Sequence, residues 1–345
     1  MQNHDKHTTQ FGEVPAAQWG DWDTIDYYFE PLTDYYNDPS VTEIMVNRFD
    51  NIAIEKGGEL LDTATTFKDE AALVRLIKQF SLALKQTIDD TSPVLDARFP
   101  DGSRACCTLN TVSPDGATLT IRRAPKQTLT LSDLVEKSAM SAEMHAYLVE
   151  QVQQGATMVV SGNTGSGKTT LLRALSEALN PKERIITCED TQELHLKHLP
   201  HLIALEAPKR RTHTLDMKNL IETALRMRPD RIWVGEIRHA GACDAFLQAV
   251  NTGHTGCVTT IHANSEPDAM SRMQYLIASA GLISYELAHT QIINGVDVFI
   301  HAARYLDDDH KVKRKITGIS EIRAGVLTPV FALNKTTGEH DVVTF

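Results

Sequence analysis

A lysine and a threonine close the run Gly162-Asn163-Thr164-Gly165-Ser166-Gly167-Lys168-Thr169, and with the glycines before them they have the types and spacing to hold a polyphosphate. The glycines let the backbone fold around phosphate oxygens with its N–H groups turned inward. Lys168 can reach β- and γ-phosphates, and the Thr169 hydroxyl can sit on Mg²⁺. Thr170 opens the following helix, whose unpaired N–H groups would also face the anion. An ordinary glycine-rich turn would not need Lys-Thr in its last two positions.

Holding phosphate does not by itself break it, so the chemistry needs an acid nearby. Glu236 follows Ile232-Trp233-Val234-Gly235, an apolar strand, and is the first candidate to hold the metal or orient water; the competing reading is a surface acid. Glu189 and Asp190 follow Ile185-Ile186-Thr187-Cys188 in the same way. One of the two can polarise the attacking water while the other orders the metal's water shell or a neighbouring loop, with Glu189 preferred for the water; a capping or turn role for Asp190 is the plainer alternative. His262 ends Val258-Thr259-Thr260-Ile261, after the glycine-hinged loop Thr252-Gly253-His254-Thr255-Gly256. Its imidazole could sense developing phosphate charge, or it could be a satisfied core histidine. The remaining histidines, among them His195, His198 and His201, lack H-E-x-x-H zinc spacing.

These residues need elements to carry them. Short apolar strands are expected at Thr157–Val160, Arg184–Thr187, Arg231–Val234 and Val258–Ile261, separated by helix-length segments, which implies a parallel sheet covered on both faces. The glycine-rich loop then lies at the carboxyl end of a strand, where such sheets bind ligands. Ser132 or Ser141 would cap helices that end before Gly155. Upstream, Ile25–Tyr36 reads as an amphipathic helix broken near Pro31, and 66–84 as a helix with Leu73, Ile77, Phe80 and Leu84 on one stripe. Strands are expected at Thr42–Asn47, Asn51–Glu55, Leu95–Arg98, Arg104–Thr108 and Ala117–Arg122. The expected division is a flexible lead-in over 1–24, a smaller α+β domain over 25–123, a linker over 124–130 and an α/β domain over 131–345.

With 345 residues of which 42% are hydrophobic, the chain can build two cores. Its 34 basic and 45 acidic residues leave a net charge of -11, which argues against a surface made mainly to hold nucleic acid. Basic clusters remain at Arg104 with Arg122-Arg123 and at Lys209-Arg210-Arg211. There is no N-terminal apolar signal and no run of eighteen apolar residues, so the expected location is the cytosol. The cysteines at 106, 107, 188, 243 and 257 have no C-x-x-C or zinc spacing and are read as reduced thiols. Cys106 and Cys107 should point to opposite faces of their strand.

With these positions in place, the chain resembles the secretion and traffic ATPases of bacterial type II and type IV systems, from about Val41 to Phe345. “CEDTQEL” at Cys188–Leu194 resembles that family's Asp box, “RMRPDRIWVGEIR” at Arg226–Arg238 its Walker B region, and “NTGHTGCVTTIHANS” at Asn251–Ser265 its His box. The resemblance implies a RecA-like P-loop NTPase domain behind a smaller α+β domain, with ATP and Mg²⁺ as ligands. It implies that Lys168 and Thr169 bind triphosphate and metal, that Glu236 is the Walker B acid, that Glu189 assists the water, and that His262 links nucleotide state to domain movement. “DARFPDGSR” at Asp96–Arg104 and “TIRRAP” at Thr120–Pro125 are similar to segments that bring arginines to the nucleotide, which makes Arg104 and Arg122 or Arg123 candidate phosphate clamps. Arg238 travels with the Walker B motif and would position a subunit contact or the phosphate.

By resemblance, the partners are further copies in a hexameric ring and inner-membrane secretion or pilus-assembly proteins, with a coupling protein possible and the enzyme peripheral to the membrane. The Cys-x-x-Cys zinc module common in type II enzymes is absent. Conjugation-type secretion ATPases and tight-adherence pilus ATPases are therefore the nearest groups, the first favoured by compact length and the second by the tail “ISEIRAGVLTPVFALNKTTGEH”. The rivals are a helicase-like motor, disfavoured by acidity and the lack of aromatic stacking patterns, and a nonhydrolytic nucleotide-binding scaffold.

Overall fold

The computed structural model describes residues 6–15, 19–124, 129–207, 215–306, 312–334 and 339–343. The chain forms two compact units, Met1–Gln127 and Thr128–Phe345. Expected linker residues 125–128 and the cluster Lys209-Arg210-Arg211 lie outside the described residues.

The first unit opens with a hairpin of β1 (Lys6–Thr9) and β2 (Gly12–Pro15), then α1 (Trp19–Phe29), a 3₁₀ turn over Glu30–Leu32 and α2 (Thr33–Asn37). Proline at position 31 sits in the 3₁₀ turn, where its missing N–H and fixed φ break the helix as expected. Six strands follow: β3 (Val41–Arg48), β4 (Asn51–Lys56), β5 (Glu59–Asp62), then, after α3 (Glu70–Ala83), β6 (Val94–Arg98), β7 (Arg104–Thr108) and β8 (Thr118–Arg122). They pair antiparallel in the order β5-β4-β3-β8-β7-β6. Alternation sends Leu95, Ala105, Cys107, Leu119 and Ile121 into the core, and Cys106 stays exposed beside buried Cys107. Helix α3 begins at Asp69, whose side chain accepts the Ala72 N–H at 2.7 Å.

The opening segment is not a lead-in. Phe11 and Val14 are 0% and 1% exposed, and the Phe11 ring packs against Trp22, Phe29, Tyr36, Phe80 and Phe99 at centroid separations of 4.9 to 6.2 Å. Two four-residue strands, KHTT and GEVP, flanking a turn that carries Phe11 show too little apolar periodicity to be read against their polar neighbours. Glu59–Asp62 likewise escaped the reading, because every residue of that edge strand is exposed and no apolar alternation marks it.

The second unit begins with α4 (Leu131–Glu136) and α5 (Ala142–Gln154). Thr130, not Ser132, caps the first in a reciprocal capping box with Asp133; Ser141 caps the second, which ends at left-handed Gly155. The rest alternates β9 (Met158–Ser161), α6 (Lys168–Leu175), β10 (Ile185–Glu189), β11 (Leu202–Glu206), α7 (Met217–Ala224), β12 (Arg231–Ile237), α8 (Ala240–Asn251) and β13 (Val258–Ile261). It closes with α9 (Glu266–Ser279), α10 (Tyr285–Gly295), β14 (Val298–Leu306), β15 (Val312–Arg323), β16 (Val326–Leu333) and β17 (His340–Val342). The nine-stranded order is β11-β10-β12-β13-β9-β14-β15-β16-β17, parallel from β11 to β14 and antiparallel beyond.

This is the expected α/β architecture, a parallel-rich sheet with helices on both faces. Val159 joins the core under α7 to α10, and its neighbours Met158 and Val160 join the core under α4 to α6. The order places β13 between β9 and β12, so the carboxyl ends of three adjacent parallel strands deliver the phosphate loop, His262 and Glu236 to one edge of the sheet.

Candidate active site

The loop leaves β9 at Ser161 and enters α6 at Lys168. Gly162 has φ of 151°, and a Cβ there would fall inside the van der Waals surface of the Ala302 carbonyl oxygen on β14. No other residue fits. Asn163, Thr164 and Gly165 form the exposed crest, Ser166 is buried, Gly167 is left-handed with φ of 100°, and Thr169 and Thr170 are half-buried on the first turn of α6. The Ser166 hydroxyl is buried and has no hydrogen-bond partner among the described residues.

Lys168 is 9% exposed and curls back, its Nζ donating to the carbonyl of Gly162 at 2.7 Å and of Asn163 at 3.2 Å. Burial pushes its pKa below the ordinary lysine value, while the nearby Glu236 and Glu193 carboxylates pull it back up. The ammonium is held by acceptors that a phosphate could replace.

Strand β12 shifts register between Val234 and Ile237, so Glu236 lies in an irregular stretch of the strand, not past its end. Its Oε2 accepts from Arg238 Nε at 2.7 Å and lies 2.6 Å from Nη2 of the same guanidinium. Its Oε1 lies 2.7 Å from His262 Nε2 without the alignment of a hydrogen bond, and is a buried acceptor lacking an aligned donor. Arg238 also reaches Asp190 at 3.7 Å, and the pairing with Glu236 raises its pKa.

Glu189 ends β10 at 2% exposure, packed where Gly235 leaves room for it. One oxygen accepts the backbone N–H groups of Glu193 at 2.6 Å and Leu194 at 2.9 Å, and the other is buried with no well-formed hydrogen bond among the described residues, the Thr187 hydroxyl being close by. Burial raises its pKa. The loop so tethered brings Glu193 to Thr169, 3.4 Å from carboxylate to hydroxyl, while Arg173 of α6 holds the Glu193 carbonyl.

Sequence reasoning quoted Glu193 inside its motif and did not single it out. Nor did it find the far wall: Arg314 of β15 donates to the Gly165 carbonyl at 2.8 Å, and Arg304 of β14 flanks the same glycine. These arginines follow the site by more than a hundred residues, and only the pairing of β14 with β9 brings them back. The basic run Lys313-Arg314-Lys315 was the one local signal.

In the first unit, Arg98, Arg104 and Arg122 stand directly opposite one another on β6, β7 and β8, ending at Glu43 on β3. Like charges opposite one another cost stability, which Glu43 offsets at one end of the row by its pairing with Arg122. Arg123 points to the other side. It is 9% exposed, donates to the carbonyls of Asp38 and Val41, and lies 5.2 Å over the Tyr36 ring, so its guanidinium is committed to holding the sheet and is not a phosphate clamp.

The donor set offered to a metal is all oxygen: the Thr169 hydroxyl with Glu193 beside it, and Glu236 across the site. Among the described residues no cluster of three metal-binding side chains occurs. Sparse hard-oxygen donors beside a phosphate cradle fit Mg²⁺, which takes its remaining ligands from phosphate and water.

Comparison with known proteins gives three findings. The family model described as “Type II/IV secretion system protein” matches residues 28–320. A putative conjugal transfer protein of Mycobacterium tuberculosis is 34% identical over 82% of this chain and 81% of its own length, and the conjugal transfer protein TrbB of Rhizobium radiobacter is 33% identical over 78% and 81%. The solved ATPase DotB of Yersinia pseudotuberculosis superposes with a TM-score of 0.67, covering 87% of this chain and 80% of that one, at 16% identity; this likeness concerns the fold alone.

Proposed function

The chain belongs to the type II/IV secretion system protein family and is a P-loop ATPase of type IV secretion, and we propose that it acts as a homohexamer powering conjugative transfer at the inner membrane. The observation that carries this reading is the convergence of Lys168, Glu236 and His262 from three adjacent parallel strands onto one site. The conjugal transfer names of relatives at 34% and 33% identity support the biological setting. Among the described residues no helix is long and apolar enough to cross a membrane, so attachment to the machinery is proposed to be peripheral.

ATP is the substrate, with its phosphates received by the N–H groups of residues 163–170 and by Lys168, which leaves the Gly162 and Asn163 carbonyls to meet them. Thr169 and Glu236 would hold Mg²⁺, which when bound neutralises charge on the β- and γ-phosphates. Glu236 Oε1, the oxygen without an aligned donor, accepts a hydrogen bond from the attacking water. Glu189 is proposed to assist through its second oxygen, while the first keeps the Glu193 loop against Thr169. His262, in contact with Glu236, reports the change at the phosphate. Arg104 and Arg122 are proposed to clamp the phosphates on closure, stabilising charge that develops in the transition state.

Complementation tests this function. In a conjugative donor lacking this gene, the wild-type chain should restore transfer and Lys168→Ala should not; restoration by Lys168→Ala would reject an ATP-driven role. Loss of pilus assembly with transfer intact would instead favour a tight-adherence ATPase, a reading supported by the antiparallel extension β15 to β17.

A further inference from the structure

His301 and Ser161 stand opposite each other where β14 pairs with β9, at the last residue before the phosphate loop. Both are buried, Ser161 at 0% and His301 at 8% exposure. The Ser161 hydroxyl donates to the Ile300 carbonyl at 3.1 Å and lies 2.9 Å from His301 Nδ1. One hydroxyl proton serves one acceptor: when Ile300 takes it the imidazole donates from Nδ1 to Ser161 Oγ, and when the ring takes it Nδ1 accepts. The same oxygen is 3.4 Å from the carbonyl of Ser265, the cap of α9, three residues after His262.

Two charged neighbours act on the ring, Lys168 of α6 and Asp268 of α9, and the Glu266 carboxylate of α9 abuts Gly318, which stands opposite His301 in β15. Burial holds the imidazole below the ordinary histidine range, with Asp268 opposing and Lys168 adding to that shift. A neutral ring has one donor and one acceptor nitrogen, so Nδ1 can take either role toward Ser161. The next peptide is Gly162, whose carbonyl holds Lys168 at 2.7 Å and whose α-carbon is pressed against Ala302.

We propose that His301 is a positioning residue of the phosphate loop, acting through Ser161 to fix the peptide from which the loop departs and from which Lys168 is released to the phosphates. This rests on the reading that the loop binds nucleotide. The histidine touches no reacting atom. Its effect is on where the Gly162 carbonyl sits, and small misplacements of a binding group are costly.

The test is the affinity of the full chain for ADP and for a nonhydrolysable ATP analogue, measured by titration calorimetry. His301→Leu should weaken binding roughly fivefold, the loss of one hydrogen bond, and Ser161→Ala, which also removes the bond to the Ile300 carbonyl, at least as much. The double variant should be no weaker than the worse single one, because both remove the same link. His301→Asn, which offers a donor at nearly the position of Nδ1, should bind within about twofold of wild type. Additive losses, or a His301→Leu variant that melts earlier yet binds nucleotide as tightly as wild type, would overturn the proposal and leave His301 a core residue. Lys168→Ala separates the two readings. If it abolishes binding while His301→Leu does not weaken it, only the role of His301 fails; if it binds normally, the loop is not the nucleotide site.

Discussion

Glu189 is a carboxylate whose burial works against its charged form. Burial raises its folded pKa above the ordinary 4.5, despite two backbone N–H donors that lower it. A raised carboxylate favours folding below its unfolded pKa, and that contribution is lost as pH rises through the folded value. At neutral pH the charged group is therefore a cost. Glu189→Gln should raise Tm at pH 7, the gain should shrink as pH falls toward 4.5, and ATP turnover should drop. Thermal melts across that range check it, and a Tm gain independent of pH would contradict it. Lys168 was legible at this scale because a P-loop writes its chemistry in consecutive residues. Glu193 was not, because its approach to Thr169 depends on a loop tethered by Glu189.

Among elements, the strands of the first unit sort two adjacent arginines by face. Arg122 is exposed in the row with Arg104, and Arg123 is buried against Tyr36. Sequence left the choice between them open, since alternation gives opposite faces and does not say which face is covered. Arg123→Ala should destabilise the protein by about 3 kcal/mol, because two carbonyls and a ring lose their partner; Arg122→Ala should change stability by less than about 0.5 kcal/mol. Chemical denaturation distinguishes them. In turnover, Arg122→Ala should slow hydrolysis more than it weakens ADP binding, whereas equal losses would mean uniform binding. The hairpin at the start of the chain gives a third contrast: Phe11→Ala should cost about 3 to 4 kcal/mol, where a mobile lead-in would make it silent. The four parallel strands that carry chemistry were readable as apolar runs. Residues 202–206, half-buried at the sheet edge, and β14, where Val298-Phe299-Ile300 runs on into the polar His301 and Arg304, also begin with short apolar runs but were not singled out.

For the molecule as a whole, a parallel sheet gathers its chemistry at one edge, and the antiparallel extension adds Arg314 to the far side of the phosphate loop. That order could not be read from local sequence, because it requires β13 to insert between β9 and β12. If the enzyme is a ring, mass measurement with Mg²⁺ and a nonhydrolysable ATP analogue should find six copies, and monomers alone would reject the ring. The central claim, that Glu236 serves hydrolysis at a site where Lys168 serves binding, meets its most direct test in the Glu236→Gln chain. Steady-state turnover should fall roughly 100- to 1,000-fold while ADP affinity stays within a few-fold of wild type. Turnover that survives Glu236→Gln would contradict it.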